Sequence, residues 1–195
     1  MNQFPFPWNG SPLVHSEYLK DNYRVIDTEA KTGRAIIFFS GNGLYYPNTE
    51  QEFTKKVIID DRYEWEHLSQ DKLIRQYYER IIFVRDVFKQ WYINGINAEY
   101  DTADKTAELM KSLTFGFKVT TCGDSAGGYA AVLFASLIGA ERFFSVSGQF
   151  SITHQINAGA PFVMMNASDP AKNKYYDISH IVQITGGGGL LSMAC

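Results

Sequence analysis

The hydrophobic pattern divides most of the chain into two kinds of segment. Short runs rich in β-branched and aromatic residues are typical of buried strands, and they are separated by segments whose apolar residues recur at helical intervals. The predicted strands are residues 22–27, 34–40, 80–86, 117–123 and 142–148. The polar segment TEAKTG separates the first two strands, which are therefore predicted to form an antiparallel hairpin.

Three of the intervening segments are predicted helices. Apolar residues recur at helical spacing over residues 65–80, and residues 101–113 begin with Asp and Thr, which are good capping residues. Residues 126–138 are small and apolar nearly all round, a pattern that suits a helix buried against a sheet, with Gly139 as its C-cap. Residues 52–60 fit either a helix or a strand.

Strands that alternate with helices after an opening hairpin predict an α/β domain with a mostly parallel central sheet flanked by helices. The length of 195 residues fits a single domain over residues 1–195. Residues 1–20 contain three of the six prolines and show little periodicity, so we expect an irregular arm. Residues 186–195 begin with four glycines and form an atypical tail, so the C-terminal part of the fold is expected to be incomplete.

Charge, cysteine content and the absence of long apolar runs indicate which partners and which cellular compartment to expect. The 18 basic and 21 acidic residues give a net charge of -3, and no basic stripe interrupts the mixture, which argues against a nucleic-acid partner. Cys122 and Cys195 have no second cysteine at metal-ligand spacing and are expected to be free thiols. The chain has neither a signal-peptide pattern nor a long apolar run, so we expect a cytoplasmic protein without a membrane span.

The sequence GDSAGG at residues 123–128 is the strongest candidate for chemistry. A serine at a sharp turn between a strand and a helix is exposed for nucleophilic attack, and the positions two residues before and after it must be tiny because strand and helix crowd each other there. Gly123 and Gly127 meet this requirement around Ser125. A plain glycine-rich turn would explain the glycines equally well but not the serine, so we predict that Ser125 is a nucleophile.

An acyl-transfer nucleophile also needs backbone N–H groups that stabilise the oxyanion. Ala126, directly after the serine, would supply one such group. Gly41 and Asn42 follow the strand 34–40 and would supply the second from the same edge of the sheet. An ordinary turn explains GNG at residues 41–43 equally well.

Two other groups of residues invite a functional interpretation. Trp91 follows the strand 80–86 at the edge where crevices form in open α/β sheets, so it could bind substrate or belong to a packed core. Four acidic residues could form a cation site, although a solvated acidic face is the more common explanation for such a group. These residues are Asp60, Asp61, Glu64 and Glu66.

The chain resembles the α/β-hydrolase superfamily in its GDSAGG turn after a strand and in a glycine loop after an earlier strand. The residues of the turn are similar to those of the hormone-sensitive-lipase-like esterases. The resemblance covers residues 22–150. FFSGNG replaces the His-Gly-Gly-Gly loop of those esterases, and FVRDVFKQWYINGIN replaces their usual strand and proline-containing loop. In these segments and in SVSGQFS the chain is more similar to hydrolase-like proteins associated with bacterial surface-polysaccharide gene clusters. The resemblance implies a serine esterase that needs no metal or organic cofactor.

The superfamily orders its triad as serine, acid and histidine along the chain. His154 and His180 follow Ser125, but His154 comes too early for the family's base. His180 with Asp177 as the acid fits the order, although a surface or structural role also explains each histidine. The other carboxylates considered after the serine are Glu141 and Asp169.

The missing triad partners leave two explanations open. The chain is either a truncated or frameshifted hydrolase with impaired turnover, or a complete protein with an unusual base. Three functions follow from the same scaffold. We expect an esterase acting on a small-molecule or glycan acyl ester, and the alternatives are a non-catalytic binding or assembly protein and a glycan acyltransferase.

Overall fold

A five-stranded mixed sheet forms the centre of the protein in a computed structural model that describes residues 10–153 and 168–180. The strands are β1 Tyr23–Asp27, β2 Arg34–Phe39, β3 Arg80–Val84, β4 Lys118–Asp124 and β5 Arg142–Val146. Their spatial order is β1-β3-β2-β4-β5, and every pair is parallel except β1 with β3. The predicted α/β class with a mostly parallel central sheet is confirmed.

The two opening strands run in opposite directions, as predicted, but β3 lies between them. Tyr23 of β1 is opposite Val84 of β3, and β2 pairs with the other edge of β3. Residues 81–84 are fully buried, whereas β1 stays partly exposed. A strand that is apolar on both faces belongs inside a sheet, so β3 occupies the inner position and β1 the edge.

Helices are distributed along the whole described chain. They are α1 Pro12–Tyr18, α2 Glu50–Phe53, α3 Lys72–Tyr77, α4 Ala103–Leu113, α5 Ala126–Ile138 and α6 Pro170–Asn173. A π-helical stretch, Thr54–Ile59, continues α2, and a 3-10 helix spans Glu66–Gln70. No helix in the described part of the chain is long and apolar enough to cross a membrane.

Alternating residues of the inner strands pack into separate clusters on the two faces of the sheet. Phe39 and Val84 belong to the main core, together with residues of α4 and α5. Phe38 and Phe83 point to the other face and pack with Tyr63 and neighbouring residues. This period of two explains why both central strands read as continuous apolar runs.

The predicted helix at residues 126–138 is confirmed to the residue as α5, and Gly139 adopts the left-handed conformation (φ 70°) that ends it. The predicted helix at residues 65–80 is interrupted. Asp71 has extended backbone angles, and its carboxylate accepts the N–H groups of Leu73 and Ile74, both at 2.9 Å. Asp71 therefore begins a new helix within the predicted one.

The segment predicted as an irregular arm contains α1. Pro12 occupies the first turn of this helix, where its fixed φ is favourable and its missing N–H costs nothing. Val14 is fully buried and packs in a cluster with Leu44 and Phe88. Burial of this apolar side chain against later segments stabilises a helix that local periodicity did not predict. The predicted tail, residues 186–195, lies outside the described residues.

Candidate active site

Ser125 joins β4 directly to α5. Its backbone angles are φ 54° and ψ -121°, so a residue with a Cβ atom sits in a region that favours glycine. The Ser125 N–H donates to the Val146 carbonyl at 2.9 Å, and the Ser125 carbonyl accepts the Tyr129 N–H at 3.0 Å. These bonds fix the sharp turn at residues 124–126, hereafter the β4–α5 turn, and leave Ser125 half-buried.

The glycines that flank Ser125 are required by close backbone contact. A Cβ atom on Gly123 would lie 2.1 Å from the Gly127 carbonyl oxygen, and one on Gly127 would lie 2.2 Å from the Phe39 carbonyl oxygen. Both distances are far shorter than a van der Waals contact permits. The predicted crowding of strand against helix around Ser125 is confirmed.

The loop of residues 40–43 follows β2 and lies beside the β4–α5 turn, because β2 and β4 are neighbours in the sheet. A Cβ atom on Gly41 would lie 2.7 Å from the carbonyl oxygen of Asp124. The 40–43 loop therefore touches the residue that immediately precedes Ser125.

Only one of the three N–H groups predicted to stabilise an oxyanion already donates a hydrogen bond within the described residues. The Gly41 N–H donates to the Oε2 atom of Glu64 at 2.5 Å. Within the described residues no hydrogen bond uses the N–H of Asn42 or of Ala126. Of the three predicted donors, the Gly41 N–H thus serves a contact within the protein, whereas those of Asn42 and Ala126 are not engaged among the described residues.

The loop after β3 is organised by the buried carboxylate of Asp86. Asp86 accepts three N–H groups of this loop, from Phe88 at 3.0 Å, Gln90 at 2.6 Å and Tyr92 at 2.9 Å. Burial raises the pKa of Asp86 to about 6, although these donors favour its ionised form. The carboxylate supports a loop in which Lys89, Trp91 and Tyr92 all have positive φ.

Trp91, predicted as either a substrate-binding or a core residue, is only 4% exposed and belongs to the main core. Its indole N–H donates to the Oε1 atom of Gln149 at 3.3 Å, which links the loop after β3 to the segment after β5. The structure thus favours the packed-core interpretation of Trp91.

Asp177 and His180, the predicted acid and base, both lie on the surface. Asp177 accepts the Ser179 N–H at 2.9 Å and its hydroxyl at 2.5 Å, and these bonds hold the pKa of Asp177 below its ordinary value. Among the described residues, no hydrogen bond joins Ser125 to Asp177 or to His180. The structure does not bring the three together as a triad.

Of the remaining triad candidates, two make structural contacts and the third lies outside the described residues. Glu141 pairs with Arg34 at 3.2 Å, and Asp169 caps α6 by accepting the Ala171 N–H at 2.9 Å. His154 lies outside the described residues. In residues 10–153 and 168–180, no group of three or more His, Cys, Asp or Glu side chains is placed to hold a metal ion.

The sequence interpretation named Glu64 only as a member of an acidic cluster and missed its contact with the 40–43 loop. Two members of its acidic cluster, Asp61 and Glu66, pair with Arg24 at 2.7 and 2.6 Å, which agrees with a charged surface. Glu64 instead turns inward to the 40–43 loop, and burial raises the pKa of its carboxyl group. The signal available in the sequence was its position between two aromatic residues, Tyr63 and Trp65.

No protein-family model and no curated protein matches the sequence. Solved structures are similar in fold. FphF, a fluorophosphonate-binding serine hydrolase of Staphylococcus aureus, aligns with a TM-score of 0.51 at 14% identity, over 82% of this chain and 65% of its own. The capsule O-acetyltransferase of Neisseria meningitidis serogroup A aligns with a TM-score of 0.50 at 14% identity, over 82% of this chain and 60% of its own.

Identity this low establishes the fold alone, which is α/β-hydrolase-like. The chain spans less than two thirds of the length of each of these two proteins.

Proposed function

We propose that this protein is a serine hydrolase of the α/β-hydrolase type that acts on an acyl ester, with Ser125 as its nucleophile. The observation that carries the proposal is the strained backbone of Ser125, between glycine positions that admit no side chain. Backbone strain of this kind persists mainly at functional sites. Glycine would occupy the same turn without strain, so the presence of serine points to a role for its hydroxyl group.

In the proposed reaction the Ser125 hydroxyl oxygen attacks the ester carbonyl carbon. The N–H groups of Ala126 and Asn42 stabilise the oxyanion of the tetrahedral intermediate. The intermediate collapses with loss of the alcohol, and water then releases the acid from the acyl-enzyme. His180 remains our proposal for the base and Asp177 for the acid, on their order along the chain.

A second candidate function is acyl transfer to a sugar hydroxyl. The observation that favours it is the fold shared with the capsule O-acetyltransferase. The acyl-enzyme would form in the same way, and a sugar hydroxyl would replace water in the second step. The two functions therefore share Ser125 and differ only in the acceptor.

Turnover of p-nitrophenyl acetate by the purified protein tests the proposal. We expect Ser125→Ala to lower the rate by about a hundredfold or more, and His180→Ala to lower it as well. Ser147→Ala is the matched control, because Ser147 also has positive φ (51°) and follows the strand that binds the Ser125 N–H. Equal rates for wild type and Ser125→Ala would contradict the proposal and favour a binding protein on this scaffold. Added glycan acceptors that become acetylated would identify the transferase.

A further inference from the structure

Glu64 contacts two consecutive residues of the 40–43 loop. Its backbone N–H donates to the Oγ atom of Ser40 at 3.1 Å, and its Oε2 atom accepts the Gly41 N–H at 2.5 Å. The second bond joins a carboxylate to a backbone N–H, and charge-assisted bonds of this type are roughly twice as strong as neutral ones. Glu64 therefore holds the loop through both its main chain and its side chain.

Ser40, at the start of the 40–43 loop, is held firmly in place. Ser40 is buried, its N–H donates to the Val84 carbonyl at 2.9 Å, and its own carbonyl accepts the Tyr92 hydroxyl at 2.7 Å. Hydrogen bonds to β3 and to the loop after β3 therefore hold the first residue of the 40–43 loop. Beyond that point, the Glu64 carboxylate accepts the Gly41 N–H, and the Gly41 carbonyl accepts the Leu44 N–H at 3.3 Å.

The Glu64 carboxylate lies close to both glycines of the loop. A Cβ atom on Gly43 would lie 2.9 Å from the Oε1 atom of Glu64, and one on Gly41 would lie 3.4 Å from Oε2. On its other side Gly41 touches the Asp124 carbonyl oxygen. The loop is therefore packed between Glu64 and the β4–α5 turn, with Asn42 between the two contacting glycines.

We infer that Glu64 is a positioning residue of this active site, which orients the 40–43 loop so that the Asn42 N–H faces the oxyanion formed at Ser125. The inference rests on the proposed function. Glu64 does not touch the reacting atoms in this role, and its effect passes through the loop.

The charge of Glu64 depends on the groups around it. Burial disfavours its ionised form, the nearby Asp124 carboxylate acts in the same direction, and Arg62 and Lys89 favour ionisation. The net result is a pKa raised above that of an ordinary glutamate. Protonation removes the charge-assisted bond to Gly41, so the reaction should slow as the pH falls through this raised pKa.

The test measures the rate at which a fluorophosphonate labels wild type, Glu64→Ala and Glu64→Gln. We expect Glu64→Ala to react about a hundredfold more slowly, since loss of one oriented oxyanion donor has an effect of about that size. Glu64→Gln keeps a neutral acceptor and should lose about tenfold, and its pH profile should lack the acid limb seen in wild type. Glu66→Gln is the matched control, because it removes the same charge two residues away.

A second measurement does not depend on reactivity. The amide proton resonance of Gly41, followed by NMR, should shift with pH in wild type and in Glu66→Gln, and should stay constant in Glu64→Gln. If wild type reacts and Glu64→Ala reacts as fast or faster, the inference is overturned while the proposed function stands. If folded wild type does not react although the Gly41 resonance titrates, the proposed function fails, and the positioning role fails with it.

Discussion

The backbone of Ser125 is strained in the turn between β4 and α5. A residue with a Cβ atom at φ 54° and ψ -121° is held there only because the surrounding hydrogen bonds and close packing define the turn. These bonds fix the Ser125 backbone at the end of β4. Strain at a candidate nucleophile is a form of preorganisation, since the geometry is set before a substrate binds.

Replacement of Ser125 by two different residues separates strain from chemistry. Ser125→Gly relieves the strain, whereas Ser125→Ala keeps the Cβ atom and therefore the strain. We expect the glycine variant to be more stable than the alanine variant by about 1 kcal/mol in the free energy of unfolding, measured by urea denaturation. Both variants should be equally inactive. An alanine variant as stable as the glycine variant would show that the turn is unstrained.

The crowded turn at Ser125 could be predicted from the sequence and the contact of Glu64 with Gly41 could not, because the two differ in their distance along the chain. The glycines around Ser125 are set by local crowding of one strand against the helix that follows it, so a short motif reveals them. The bond from Gly41 to Glu64 joins residues 23 apart in sequence. No local pattern shows that one carboxylate of an acidic cluster turns inward while its neighbours bind Arg24.

At the scale of elements, the site depends on how closely α5 approaches the sheet. Gly127 and Gly128, in the first turn of the helix, lie against the backbone at the ends of β2 and β5. The same closeness places Ser125 at the carboxyl edge of the sheet, where the 40–43 loop also begins. The geometry of the candidate site is therefore a consequence of strand and helix packing.

Alanine substitutions at glycines of β4 and α5 test this dependence. Gly123→Ala and Gly127→Ala should each lower the free energy of unfolding by about 3 kcal/mol or more, because the added methyl group overlaps backbone atoms. Gly139→Ala is the control: its φ is positive, but a Cβ atom there meets nothing within 4 Å, so it should cost about 1 kcal/mol. Equal losses in urea denaturation at the three positions would show that close approach contributes nothing.

Element prediction succeeded where the determinants are local. The apolar run of α5 and its glycine C-cap fixed both ends of that helix, and the β-branched run fixed β4 to within one residue. The pairing of β1 with β3 is a non-local choice that follows from burial of β3 on both faces. The break at Asp71 was missed because its side chain competes with the backbone for hydrogen bonds, which apolar periodicity does not register.

At the scale of the whole molecule, the segments that follow the three inner strands gather at one edge of the sheet. The 40–43 loop follows β2, the loop supported by Asp86 follows β3, and the β4–α5 turn follows β4. Ligands of open α/β sheets bind at this edge. The topology thus places the 40–43 loop, with the candidate oxyanion donor Asn42, beside the turn that holds Ser125, although the two segments are distant in sequence.

The most direct test of this account is covalent labelling of the folded protein by a fluorophosphonate, followed by peptide mass spectrometry. We expect a single phosphonylated peptide with the modification on Ser125, absent in Ser125→Ala and retained in Ser147→Ala. A folded protein that takes up no label, or takes it up on another residue, would contradict the claim that Ser125 is an activated nucleophile.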